Sequence, residues 1–119
     1  MSILIGADLV PTENNKEFFI DANINELFGS ELCELLNRVD YRIFNLEVPL
    51  TDSLSPIQKN GPCLCAPSKC IEGYKAIKVN LLTMANNHIL DQGFNGLYST
   101  MELCKKHDIS IVGAGKNIE

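Results

Sequence analysis

The stretch TMANNHILDQG, residues 83 to 93, concentrates groups that bind cations and carry protons. It holds Asn86, Asn87, His88 and Asp91 close together in the sequence. Carboxylate and carboxamide oxygens and imidazole nitrogens are ligands for divalent cations such as Mn²⁺, Mg²⁺ and Zn²⁺. Imidazole also exchanges protons near neutral pH. The stretch is therefore a candidate for metal binding and for acid–base chemistry.

Each of these residues also has an ordinary structural interpretation. Asp91 precedes GFNGL, where it would serve as a helix N-cap, a position that favours Asp. Asn86 and Asn87 are common turn formers because Asn tolerates left-handed backbone geometry. His88 taken alone fits a half-buried structural histidine. The functional interpretation therefore depends on whether other segments bring compatible groups to the same place.

The hydrophobic pattern places this stretch at the end of a strand in an α/β chain. Short apolar runs predict four strands, at residues 2 to 7, 41 to 46, 79 to 85 and 109 to 115. Apolar residues at helical spacing predict a helix from 24 to 39 with Asn23 as N-cap, another that begins near Pro67, and a third from 93 to 108. This alternation predicts one α/β domain with a mostly parallel sheet and flanking helices.

Candidate site segments stand at the ends of all four predicted strands, and the one at the fourth is GAGKN, residues 113 to 117. Asp8 follows the first strand, Asn45 and Glu47 follow the second, and the stretch that contains His88 follows the third. The carboxyl ends of parallel strands meet at one edge of the sheet, where ligands of such folds bind. We therefore expect two carboxylates, a carboxamide and an imidazole to reach one volume and to bind a divalent cation, Mn²⁺, Mg²⁺ or Zn²⁺.

A long irregular loop is predicted for residues 50 to 66, and loops of that length usually have a function. It carries Cys63 and Cys65, and Cys70 follows it. Their spacing does not match the paired ligands of structural zinc sites, so we expect reduced thiols.

The composition excludes some classes of function. A net charge of -5 and a pI near 5.0, with no basic stripe, argue against nucleic-acid binding. The apolar run ILI, residues 3 to 5, is far too short for a secretory or membrane segment. The sequence therefore predicts a soluble, cytoplasmic protein.

Several motifs together resemble a known family. GAD, NLEVPLTD, PIQKNGPCLCAP, ANNHILDQGFNGLYST and GAGKNIE resemble, in order and spacing, the CapA family of bacterial capsule and poly-γ-glutamate synthesis proteins. The resemblance covers nearly the whole chain. It implies a metallophosphatase-like α/β/β/α sandwich with a metal centre at the strand ends, of which residues 1 to 119 resemble an incomplete, amino-terminal half. Half of a (βα)₈ barrel is the less favoured fold.

The resemblance also assigns roles to individual residues. It implies that Asp8, Glu47 and Asn87 are metal ligands and that His88 and Asp91 are catalytic, with His88 facing the substrate and Asp91 orienting it. Two features depart from the pattern. Val10 stands where a histidine is common, and the only other histidine, His107, is predicted at the far end of a helix. Further ligands would therefore have to come from the missing half.

Two functions remain open from the sequence. The first is a metal-dependent, phosphatase-like hydrolase of capsular poly-γ-glutamate synthesis that is active when a carboxyl-terminal half is supplied. The second is a non-catalytic interaction module of a capsule synthesis or export complex. The expected partners are a second copy of the chain, a complementing carboxyl-terminal half, or other capsule synthesis proteins.

Overall fold

The computed structural model describes residues 1–117 of this 119-residue chain. Its four strands form one sheet in the order β1-β2-β3-β4, and every neighbouring pair is parallel. The α/β class and the parallel sheet predicted from the sequence are confirmed. The elements in chain order are β1 Ile3–Asp8, α1 Lys16–Ile20, α2 Ile24–Arg38, β2 Tyr41–Asn45, a short 3₁₀ helix Ser68–Cys70, α3 Ile71–Ile77, β3 Leu81–Thr83, α4 Gly93–Lys106 and β4 Ser110–Val112.

The register of the sheet brings three strand ends level with one another. Asp8 at the end of β1 pairs with Asn45 at the end of β2, and Asn45 pairs with Thr83 at the end of β3. The register shifts between Ile5 and Asp8, which adjusts the end of β1 to the end of β2. The polar residues that follow these strands therefore start from one edge of the sheet.

One face of the sheet packs on the helices and forms the core. Leu82 of β3 is fully buried, and Phe44 of β2 packs against the same cluster. The spacing of four residues predicts one apolar side for the helix that begins near Pro67, and all four are buried, the first in the 3₁₀ helix and the rest in α3: Cys70, Ile71, Tyr74 and Ile77.

Helix α1 was not predicted from the sequence. It is only five residues long, which is too short to show a hydrophobic period, and it is held by packing against α3. Phe19 is 1% exposed and its ring centroid lies 5.3 Å from that of Tyr74. A Cβ on Gly73 would stand 2.7 Å from the Cα of Phe19, so the two helices approach this closely only with glycine at that position.

The helix predicted from 24 to 39 is α2, Ile24–Arg38, and both of its ends agree with the prediction, but a kink at Gly29, with φ 76° and ψ 166°, interrupts it. The Asn23 side chain accepts a hydrogen bond from the Glu26 N–H at 3.4 Å, as expected for an N-cap. At the other end the buried guanidinium of Arg42 donates to the carbonyls of Leu36 and Val39, both at 2.6 Å. These bonds satisfy helix-terminal acceptors with a charge of favourable sign.

Phe94 is a further difference between expectation and structure. Its helical spacing from Leu97 and Cys104 predicts that it lies on the apolar side of α4, but 65% of it is exposed, and its ring centroid lies 6.1 Å from that of Tyr98, on which it stacks. The buried positions of that helix are Gly96, Leu97, Thr100 and Cys104, which begin one turn later. Within residues 1–117, no helix has the length and apolar content needed to cross a membrane.

The opposite face of the sheet is apolar and lies outside the buried core. Ile5 is 75% exposed, Ile3 49% and Val112 51%. Parallel sheets usually have both faces covered, because their strands are apolar on both sides. The helices therefore cover one face of this sheet, whereas both faces of a parallel sheet are normally buried.

We expect substitutions on the two faces to have unequal effects on stability. Leu82→Ala should lower the free energy of unfolding by about 2–5 kcal/mol, because it removes a fully buried side chain and leaves a cavity. Ile5→Ala on the opposite face should change it by no more than about 0.5 kcal/mol. Urea denaturation followed by circular dichroism measures both. Equal losses would mean that the second face is also buried in solution.

Candidate functional site

The ends of β1, β2 and β3 are joined by side-chain hydrogen bonds. Asn45 Nδ2 donates to Asp8 Oδ1 at 2.7 Å. The other side of the same carboxamide, Oδ1, accepts from Thr83 Oγ1 at 3.0 Å and from Asn86 Nδ2 at 3.3 Å. Asn45 thus connects the exposed carboxylate of Asp8 to the turn that follows β3.

Asn86 shapes the turn that carries His88. Its Oδ1 accepts from the backbone N–H groups of His88 at 3.1 Å and Ile89 at 3.0 Å, and its Nδ2 donates to the carbonyl of Leu46 at 2.8 Å. The interpretation of Asn86 as a turn former is therefore correct. The same bonds set the position of His88 relative to the end of β2.

His88 lies between two carboxylates. Its Nδ1 is 2.7 Å from Oδ2 of Asp91, which is a hydrogen bond, and its Nε2 is 3.9 Å from Oε1 of Glu47, which is beyond hydrogen-bond distance. The His88 side chain is 17% exposed, so a solute can approach it. One ring nitrogen is occupied by the protein and the other faces the space beside Glu47.

Asp91 does not cap α4. The N-cap position belongs to Gln92, with no side-chain cap bond, and the carboxylate of Asp91 points to the loop instead. It accepts from the Leu64 N–H at 2.6 Å and forms an ion pair with Lys59. The capping interpretation is wrong because two donors from the loop, Lys59 and Leu64, and the ring of His88 in the same turn bind the carboxylate instead.

The charge of Asp91 is wholly buried and is balanced by its partners. Burial by itself would raise the pKa of this carboxyl group, but hydrogen bonds from Lys59, Leu64 and His88 outweigh it and hold the pKa below the ordinary value. Asp91 is therefore a carboxylate at neutral pH, and it can orient His88 through Nδ1.

The long loop after β2 is fastened to the turn that carries His88. Gln92, which is 3% exposed, accepts from the Ser55 N–H at 2.8 Å and donates to the Leu64 carbonyl at 3.1 Å. The Ile57 N–H donates to the backbone carbonyl of Asp91 at 3.0 Å. The loop predicted for residues 50 to 66 is confirmed, and it forms one wall of the site.

Sequence reasoning missed Lys59 and Gln92 as members of the site. A signal for Lys59 was present, because it is the one cation in the sequence between Arg42 and Lys69. A lone cation in a loop rich in proline and glycine suggests a specific anionic partner. No comparable signal marked Gln92.

The predicted metal ligands are arranged around this cluster. Glu47 faces His88, Asp8 joins through Asn45 and Asn86, and Asn87 is exposed on the turn itself. Among residues 1–117, no three His, Cys, Asp or Glu side chains are grouped closely enough to hold a metal ion. The contacts therefore bring His88 together with Asp91 and Glu47, and Asp8 is joined to them only through Asn45 and Asn86.

The cysteines near the loop are unpaired thiols. Cys63 donates to the Ile57 carbonyl at 3.3 Å and Cys65 to the Thr51 carbonyl at 3.5 Å. Burial raises the pKa of Cys70 to about 11, so its thiol stays protonated at neutral pH.

We expect Asp91→Asn to lower the free energy of unfolding by about 3 kcal/mol at pH 7, because it leaves Lys59 without its buried counter-charge. The pKa of Asp91 in the folded protein lies below the unfolded value of about 3.9. The ionised carboxylate therefore contributes fully to stability above that value, and this contribution is lost as the pH falls through the folded pKa. The difference between the parent and the variant should therefore shrink below about pH 4. Urea denaturation at several pH values measures it. The exposed Asp21→Asn is the control, and a difference that stays constant down to pH 3 would contradict the pairing.

Comparison with known proteins places the chain in a family. A family model described as "Bacterial capsule synthesis protein PGA_cap" matches residues 3–119. Capsule biosynthesis protein CapA of Bacillus anthracis is 32% identical over 87 residues, which are 71% of this chain and 21% of that protein. A probable polyglutamine synthesis accessory protein of Mycobacterium tuberculosis (strain CDC 1551 / Oshkosh) is 29% identical over 92 residues, which are 76% of this chain and 24% of that protein.

This chain spans less than a quarter of the length of these curated relatives. The matched residues nevertheless include every strand end described above. The resemblance to CapA found in the sequence is confirmed, and the chain belongs to the bacterial capsule synthesis protein family PGA_cap.

Proposed function

We propose that this chain contributes a metallophosphatase-like, metal-dependent hydrolase site to bacterial capsular poly-γ-glutamate synthesis. The observation that carries the proposal is the position of His88. At the carboxyl edge of a parallel sheet, its Nδ1 is bound to a buried carboxylate and its Nε2 faces a second carboxylate, Glu47. Membership of the capsule synthesis family supports a role in capsular poly-γ-glutamate synthesis.

The proposed ligands fit a hard divalent cation in chemical type. Asp8 and Glu47 offer carboxylate oxygens, and Asn87 offers a neutral carboxamide oxygen. Mg²⁺ and Mn²⁺ are commonly held by a few oxygen ligands, with water in the remaining positions, so Asp8, Glu47 and Asn87 would supply part of the coordination sphere. When bound, such an ion polarises a phosphoryl or acyl oxygen and lowers the pKa of a water molecule.

The chain's own contribution is the handling of a proton. Asp91 holds Nδ1, so Nε2 of His88 is the atom left to accept a proton or to donate one to a leaving group. Oε1 of Glu47 lies 3.9 Å from Nε2, so a second carboxylate borders the side of the ring where the proton would be exchanged. A phosphate ester or an amide would meet the same groups.

We expect Mn²⁺ to bind the 119-residue chain and the affinity to fall by at least about tenfold in Asp8→Asn, because the substitution removes an anionic ligand and keeps the side-chain shape. Asp21→Asn removes an exposed carboxylate elsewhere and should leave the affinity unchanged. Isothermal titration calorimetry measures all three proteins. Equal affinities in the parent and in Asp8→Asn would remove Asp8 from the proposed site.

We expect Mn²⁺-dependent hydrolysis of bis(p-nitrophenyl) phosphate to fall by about 10²–10⁴-fold in His88→Gln, since the variant cannot transfer a proton at that position. His107→Gln, at the end of α4, is the matched control and should keep full activity. Metal binding without turnover in the parent chain would instead favour the non-catalytic interaction module.

A further inference from the structure

Lys59 belongs to the long loop after β2, yet its side chain reaches the turn that carries His88. Its Nζ forms an ion pair with Oδ1 of Asp91 and lies 3.3 Å from Nδ1 of His88. The Lys59 side chain is 21% exposed and that of Asp91 is 0% exposed. The ammonium therefore covers the buried carboxylate from the solvent side.

We propose that Lys59 is a positioning residue for His88: its ion pair fixes the Asp91 carboxylate, and that carboxylate holds the imidazole in the Nδ1–H tautomer. The inference rests on the proposed function, because the tautomer matters to catalysis only if Nε2 of His88 handles a proton.

Asp91 and Lys59 both lie next to Nδ1 of His88, but they favour different tautomers of the ring. Oδ2 of Asp91 is an acceptor 2.7 Å away, whereas Nζ of Lys59 is a donor 3.3 Å away. The shorter contact, with an ionised acceptor, is the stronger hydrogen bond. Nδ1 of the neutral ring therefore carries the hydrogen, and Nε2 keeps the lone pair.

The two oxygens of Asp91 have different partners. Oδ2 accepts from the N–H of Leu64 and from His88, while within residues 1–117 Oδ1 accepts from Lys59. Without the ammonium, Oδ1 would be buried with no donor, which is costly for a charged group. The terminal torsion of Asp is soft, so the carboxylate would rotate and loosen its bond to Nδ1.

The loop itself does not depend on the Lys59 side chain for its position. Gln92 bonds to Ser55 and Leu64, and the Ile57 N–H bonds to the Asp91 carbonyl. These contacts remain when Lys59 is replaced. Substitution at this position therefore tests the ion pair and leaves the loop docked.

The tautomer of each histidine can be measured directly in the ¹⁵N-labelled full chain. Long-range ¹H–¹⁵N correlation spectra at about pH 8, above the ordinary His pKa of about 6.5, resolve the rings of His88 and His107. We expect His88 of the parent protein to be a single Nδ1–H tautomer. Lys59→Met should convert it to an average of both tautomers, and Lys59→Arg should keep it single because the charge and a donor remain. His107 should be unchanged in every variant.

Two results would overturn the proposal. One is an Nε2–H tautomer of His88 in the parent protein, which needs no variant. The other is an Nδ1–H tautomer that persists in Lys59→Met while His107 and the urea transition show a folded chain. If Lys59→Met does not fold, the tautomer of the parent protein decides by itself: a single Nδ1–H ring supports the proposal and an Nε2–H ring overturns it.

Measuring turnover together with the tautomer distinguishes a failure of this inference from a failure of the proposed function. If both hold, Lys59→Met lowers bis(p-nitrophenyl) phosphate hydrolysis by about 10–100-fold, as is typical when the partner of a functional group is lost, and Lys59→Arg restores most of it. A tautomer that depends on Lys59 in a chain without turnover would support the positioning role and reject the catalytic function. Turnover that is unaffected by Lys59→Met would support the catalytic function and reject the positioning role.

Discussion

The buried charge of Asp91 is the constraint on which the candidate site depends. A carboxylate with no exposed surface is tolerated only when its oxygens are paired with donors. Here the donors come from a loop side chain, a loop backbone N–H and the imidazole of the following turn. This acceptor group therefore helps to join the loop to the turn, together with Gln92 and the backbone carbonyl of Asp91. The position of the loop and the orientation of His88 cannot vary independently.

The second constraint is that three parallel strands end side by side, which brings their polar side chains close together. Asn45 can bond to all of these neighbours. Its carboxamide donates to Asp8 and accepts from Thr83 and Asn86 at the same time. A carboxylate at position 45 would repel Asp8 and could not donate, and an apolar residue would leave the neighbouring groups unpaired. The neutral amide of Asn45 both donates and accepts, so it connects the edge strand β1 to the turn that carries His88 without adding charge.

The sequence predicted the parts of the fold that depend on local patterns. Apolar runs located all four strands, and helical spacing located α2, where Asn23 caps the first turn as expected. It did not predict the ion pair of Lys59 with Asp91, because the two residues are 32 positions apart and no periodicity links them. Asp91 was open to a capping interpretation because capping is a local rule. Tertiary donors overrode it, as often happens where a chain carries function.

One candidate ligand, Asp8, lies on the same side of the molecule as the uncovered apolar face of the sheet. Ile43 of β2 is on that face, and alternation along the strand places Asn45 there as well, with Asp8 beside it in register. His88 and Asp91, in contrast, are held under the loop. A protein layer that covered the apolar face would therefore stand next to Asp8, whereas the contact of His88 with Asp91 forms without such a layer. The two parts of the site thus have different structural requirements: the orientation of His88 is set within this chain, and the surroundings of Asp8 depend on what covers the sheet.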